Sequence, residues 1–109
     1  IKSNCSSVQV TARLPASTAF SKSSLRKEAG RWLKELRAAA GLSQMQLAGR
    51  LGLKYYTFIS QVENGFGRVP VDAMEAWATE LQTPPAEFAR KLLSYYDPEL
   101  HRLLFEVQP

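Results

Sequence analysis

Sulfur and imidazole are scarce in this 109-residue chain, which holds one cysteine and one histidine. Cys5 alone cannot build a disulfide framework, and Cys5 with His101 falls short of the ligand set of a self-contained Cys/His zinc site. Cys5 reads as a free thiol of a reducing cytoplasm, or as half of an intermolecular disulfide. No apolar run is long enough to span a bilayer, and no signal-peptide core appears near Ile1. A lone His gives no visible nucleophile–base pair, and no Gly-rich phosphate loop precedes a strand–helix unit. The expectation is a protein that is not an enzyme and takes no cofactor and no metal. At this length there is room for one small domain with a modest core, which gains from dimerisation.

Acidic charge is also lacking, but only from the first half. Residues 1–40 carry eight Lys or Arg and two Glu, residues 41–69 carry three and one, and residues 70–109 carry three and seven. The net +4 is therefore a basic half followed by an acidic one. That split favours one face of the molecule against a polyanion and leaves the other to repel it or to meet a protein; ordinary solvated charge is the plainer reading.

The stretch from Leu42 to Pro70 reads as two short helices joined by a tight turn. Ser43 can cap a free N–H while Gln46, three residues on, reaches back to the Ser43 N–H. Leu47 and Leu51 share a face, Ala48 beside them permits close approach, and Gly52 breaks the run. The second helix is expected from about Tyr55 to Asn64, with Ile59 and Val62 inward and Gly65 and Gly67 ending it. Outward remain Tyr55, Tyr56, Thr57, Ser60 and Gln61, all with hydrogen-bonding atoms and none negatively charged. Such a helix is suited to reading base edges, Gln61 above all, because its amide can pair with adenine. Lys54, Asn64 and Arg68 around it are candidates for phosphate contact. Gln44 is another, because the N-terminus of the first short helix favours an anion.

On Leu42-Ser43-Gln44, Leu47-Ala48, Gly52, Ile59-Ser60-Gln61-Val62-Glu63-Asn64-Gly65 and Pro70, the chain resembles the Xre/Cro-repressor type of helix-turn-helix regulator, which includes the lambdoid phage repressors. The likeness extends over roughly Leu33 to Leu92. It departs from the family pattern in two places: the interval from Gly52 to Glu63 is one residue longer, and Lys54 or Tyr55 stands where a small polar cap is usual. The resemblance implies an all-α, five- or six-helix, lambda-repressor-like helix-turn-helix domain. It also implies that Arg37 pairs with Glu63, a structural ion pair tying two helices through a forked guanidinium.

Residues 1–24 read as an N-terminal arm, poor in large apolar groups and either flexible or forming one short β-strand. The alternation of Val8, Val10, Ala12 and Leu14 is what supports a strand, paired with a second subunit or another protein. Ser24 is expected to cap a helix running to about Ala40, with Leu25, Ala29, Trp32, Leu33, Leu36 and Ala40 as its apolar stripe. Arg26, Lys27, Arg31 and Lys34 fall on other faces and read as solvated, with one or two in reach of phosphate. Pro70 is expected in the first turn of a fourth helix carrying Met74, Trp77, Ala78 and Leu81 inward, and Thr83-Pro84-Pro85 separates it from the next. The helix-turn-helix domain is set at residues 25–96. Residues 97–109 form a C-terminal helical extension begun by Asp97-Pro98-Glu99. Tyr95, Tyr96, Leu100, Leu103, Leu104 and Phe105 make a dimer surface or fold back onto the core.

The leading expectation is a sequence-specific DNA-binding transcription regulator. In this reading a homodimeric repressor sits on a palindromic operator, with double-stranded DNA as partner, in the cytoplasm of a bacterial host or encoded by a phage or plasmid. The alternative is an antitoxin or antiactivator that works through a protein partner.

Overall fold

The computed structural model of the chain describes residues 15–107, with side chains from Ser24 onward. The described residues form six α-helices and no strand. The alternating segment 7–14, expected as a coil or a pairing strand, lies outside them, as does Cys5.

Helix α1 spans Pro15–Ala39 and so begins well before Ser24. Proline is at home in a first turn, and no Gly or Pro interrupts the chain between Ala16 and Glu28; the capping capacity of Ser24 therefore goes unused, and Ser24 lies exposed within the helix. The expected stripe faces inward: Ala29 and Leu33 are buried, and Trp32, Leu36 and Ala40 pack against the core. Helix α2 is Gln44–Arg50 and helix α3 is Thr57–Glu63. Between them Gly52 takes φ +74, a left-handed conformation that a side chain would strain.

Pro70 stands outside any helix in extended backbone (φ −62, ψ 147), one residue ahead of a short 3-10 turn, Val71–Ala73. That turn runs into α4, Met74–Glu80, so the fourth helix starts later than the proline suggested. Helix α5, Pro85–Tyr96, packs against both α1 and α4, and α6, Pro98–Phe105, packs against α5.

One core joins α1 to α5. Trp77 and Phe88 are its largest fully buried members, surrounded by Leu33, Leu47, Ile59, Val62, Val69 and Leu92. Burying each such side chain contributes roughly 1.5–3 kcal/mol. Trp32 packs on Phe88 with ring centroids 5.5 Å apart, and Phe58 meets Trp77 edge-on at 6.4 Å. Helix α6 adds nothing to this core, because none of its residues is buried.

The expected dimer surface is thereby divided. Tyr96 is a core residue whose hydroxyl accepts the Val69 N–H at 3.3 Å, and Tyr95 is half-buried against Trp32. Their place at the end of α5, which turns back along α1, draws both rings inward. Leu100, Leu103, Leu104 and Phe105 alone remain exposed, with the Arg90 guanidinium lying 4.7 Å over the Phe105 ring.

Candidate nucleic-acid interface

The capping box at Ser43 is formed at both ends. The Gln46 N–H donates to Ser43 Oγ at 3.0 Å, and the Ser43 N–H donates to Gln46 Oε1 at 2.8 Å. It sets the start of α2, whose Leu47 and Ala48 are buried. The chain then turns at Gly52 and reaches α3 without a comparable device: Tyr56 occupies the cap position and its side chain caps nothing. With no local polar cap to fix an earlier start, the helix begins at Thr57, two residues later than the pattern suggested.

Only seven residues long, α3 would be marginal in isolation. Its far end is clamped. Ile59 and Val62 enter the core, and Glu63, 7% exposed, closes the helix inside the protein. A buried carboxylate is costly unless its oxygens are satisfied. Here Arg37 Nε donates to Glu63 Oε2 at 2.6 Å, Arg37 Nη2 donates to Oε1 at 3.1 Å, and Gln44 Nε2 donates to the same Oε1 at 3.0 Å. Arg37 Nη1 also donates to the Leu42 carbonyl at 2.8 Å. Three helices therefore meet at one carboxylate.

This places Gln44 differently from its expected role. Its amide is turned back onto Glu63 rather than outward to a phosphate, because the α2 N-terminus packs beside the end of α3. Arg68 is also redirected. Its Nη1 donates to Asp97 Oδ2 at 3.3 Å and its guanidinium lies 4.6 Å over the Tyr96 ring. The return of α5 brings an anion and an aromatic face to the loop after α3, and Arg68 takes both. Burial pushes the Tyr96 phenol above its ordinary value, opposed by the Val69 N–H and by the charges of Arg68 and Arg26.

The outward side of α3 and the segment before it carry Tyr55, 65% exposed, with Tyr56, Thr57, Gln61 and Asn64 also exposed. Ser60 is half-buried, and its Oγ accepts from Asn64 Nδ2 at 3.3 Å. Lys54 is exposed, with Nζ 5.5 Å from the centroid of the Tyr55 ring. Beyond Asn64, the loop residue Phe66 is 80% exposed and carries no charge. Among the described residues no group of His, Cys, Asp and Glu could hold a metal ion.

Gly30 is a site-forming residue that the periodicity of α1 did not bring out. A Cβ built on it would lie 2.1 Å from the Glu63 carbonyl oxygen and 2.8 Å from that of Val62. Only glycine lets α1 come so close to the end of α3. The signal was the glycine itself, which costs about 1 kcal/mol inside a helix and so points to a close backbone approach.

A family model described as a helix-turn-helix domain matches residues 28–90, from the middle of α1 to the middle of α5. No curated protein matches the chain.

Proposed function

Since the chain belongs to the helix-turn-helix domain family, we propose that it is a sequence-specific DNA-binding transcription regulator, acting as a homodimeric repressor on a two-fold related operator. One observation carries this reading. The exposed side of α3 and its approach segment present phenols, a hydroxyl and an amide, with no carboxylate among them, while the one acid of the helix is buried in the clamp. Side chains of this kind discriminate base edges in the major groove, where a negative charge would repel the phosphates on either side.

In this assignment Tyr55, Tyr56, Thr57 and Gln61 read bases, with Ser60 at their edge, and Lys54 and Asn64 contact phosphate. Arg37, Glu63, Gln44 and Gly30 hold the reader in place. Residues 25–96 constitute the DNA-binding unit, and α6 with the residues beyond it is the extension through which two copies associate. The exposed Leu100, Leu103, Leu104 and Phe105 support that role.

Selection of bound sequences from a random DNA pool, followed by sizing of the complex, tests the proposal. The expected result is a palindromic consensus with half-sites about one helical turn apart, bound by two copies. A protein that retains no sequence preference over repeated rounds would overturn it. The same exposed helix face also favours a second reading, an antitoxin or antiactivator whose α6 docks on a protein partner. A stoichiometric complex with one host protein, formed without DNA and lost on Leu103→Asp, would establish that reading instead.

A further inference from the structure

The loop that follows the reading helix, Gly65 to Val69, has one cation, and Arg68 is committed to Asp97 and the Tyr96 ring. Phe66 is exposed but uncharged. If this side of the molecule approaches a phosphate backbone, its charge has to come from another element. That element is α1. A Cβ built on Gly65 would lie 2.9 Å from Lys27 Cγ and 3.1 Å from Lys27 Cα, so the stem of Lys27 lies directly against the loop.

Lys27, Arg31 and Lys34 recur at intervals of four and three and so form one stripe on α1. On the same helix Gly30 and Arg37 face the end of α3, and Ala29 and Leu33 face the core. The stripe falls next to the Gly30–Arg37 line, on its solvent side. All three residues are exposed. Among the described residues, the ion pairs of the basic side chains are those of Arg37, Arg50, Arg68, His101 and Arg102, and none involves the stripe. Glu28 and Glu35, three and four residues from Arg31, flank it on the side away from α3, and neither forms an ion pair with it among the described residues. From Lys27 to Lys34 the helix rises about 10 Å.

We infer that Lys27, Arg31 and Lys34 of α1 form a phosphate-gripping face beside the reading helix, supplying the contacts that Arg68 does not. The inference rests on the proposed DNA-binding function and adds to it a set of backbone contacts on a different helix. These contacts position the protein without discriminating bases, so their loss weakens binding to every duplex alike.

The test is the salt dependence of duplex binding by the full chain. Three proteins are compared, namely the parent, K27Q/R31Q/K34Q and Arg68→Gln, each on a selected site and on a random duplex, with unfolding curves to verify that each is folded. Neutralising three phosphate contacts should reduce the slope of log Kobs against log salt by about 2.7. It should lower affinity for selected and random duplexes by the same factor, while Arg68→Gln leaves the slope within half a unit of the parent. An unchanged slope in the triple variant, or a flattening by about one ion in Arg68→Gln, overturns the inference while leaving the proposed function standing. Salt-insensitive or absent binding of every duplex by the parent overturns both.

Discussion

Replacing Gly30 by alanine is the most direct probe of how the reading helix is held. The added Cβ would sit 2.1 Å from the Glu63 carbonyl oxygen, 2.5 Å from its carbonyl carbon and 2.8 Å from the Val62 oxygen. All three neighbours are backbone, so no side-chain rotation relieves the clash. Either α1 or the end of α3 must move by about 1 Å, and overpacking of that kind costs typically 1–3 kcal/mol. The same movement stretches the Arg37–Glu63 contacts, 2.6 and 3.1 Å long. Against this, alanine in place of glycine in a helix interior gains about 1 kcal/mol. Because only backbone can yield, the cost falls at the upper end of that range, and the net expectation is a loss of about 2 kcal/mol, or roughly 10 °C in Tm for a domain of this size. Urea unfolding followed by circular dichroism measures it, and Gly49→Ala is the matched control. Gly49 lies in α2, exposed, with nothing within 4 Å of an added Cβ. The same chemical change there should be neutral or stabilising by up to about 1 kcal/mol. If Gly30→Ala proved as stable as the parent, the close approach of α1 to α3 would not be the constraint described.

Three further outcomes follow from the same contacts. Glu63→Ala leaves Arg37 partly buried without its carboxylate and should cost about 3 kcal/mol in urea unfolding, whereas a loss below about 1 kcal/mol would show the clamp to be ornamental. Tyr96 holds its phenolic proton more tightly when folded than when unfolded. The stability tied to that proton is therefore complete below pH ~10, the unfolded tyrosine value, and declines as the pH rises from there through the folded value. Tyr96→Phe should flatten that alkaline decline while costing about 1 kcal/mol at neutral pH, because the Val69 N–H loses its acceptor; unfolding midpoints on either side of pH 10 compare the two proteins. Gln61→Ala should weaken binding by about 1–3 kcal/mol at one base pair of the selected site and leave random-duplex affinity unchanged, and an equal loss on both would remove Gln61 from base readout.

What the sequence revealed of this fold is what local chemistry encodes. The Ser43–Gln46 box, the apolar stripe of α1 and the turn at Gly52 depend on residues within a few positions of one another. The start of α3 was not legible for the same reason, since no side chain at Lys54, Tyr55 or Tyr56 caps it and its first turn is anchored by Phe58 and Ile59 against residues far off in sequence, Trp77 among them. The surroundings of Arg68 and Tyr96 were not legible because their partners are far off in sequence. Arg68 meets Asp97, 29 residues on, and Val69 meets Tyr96, 27 residues on. Nothing near Arg68 in the chain shows that α5 will return an acid and an aromatic ring to it. Ser24 misled in the opposite way: a good capping residue is only an opportunity, and α1 had already started at Pro15.

The two ends of α3 are consequently unlike, and the difference bears on recognition. At the C-terminal end, α1 and α2 fix the backbone through Gly30 and the Glu63 carboxylate, so Gln61, two residues from that carboxylate, has little freedom of position. At the N-terminal end, Tyr55, Tyr56 and Thr57 stand exposed beyond a helix start without a side-chain cap. Base readout by Gln61 should therefore demand one geometry and tolerate one base, while the phenols, exposed between the packed residues Leu53 and Phe58, can adjust to more than one. Discrimination in a selected site should accordingly be sharpest at the base pair facing Gln61 and decline toward those facing Tyr55 and Tyr56. Changes at Gly30 or Arg37, which touch no base, should blur the sharp position first, because they loosen the end of the helix from which its precision comes.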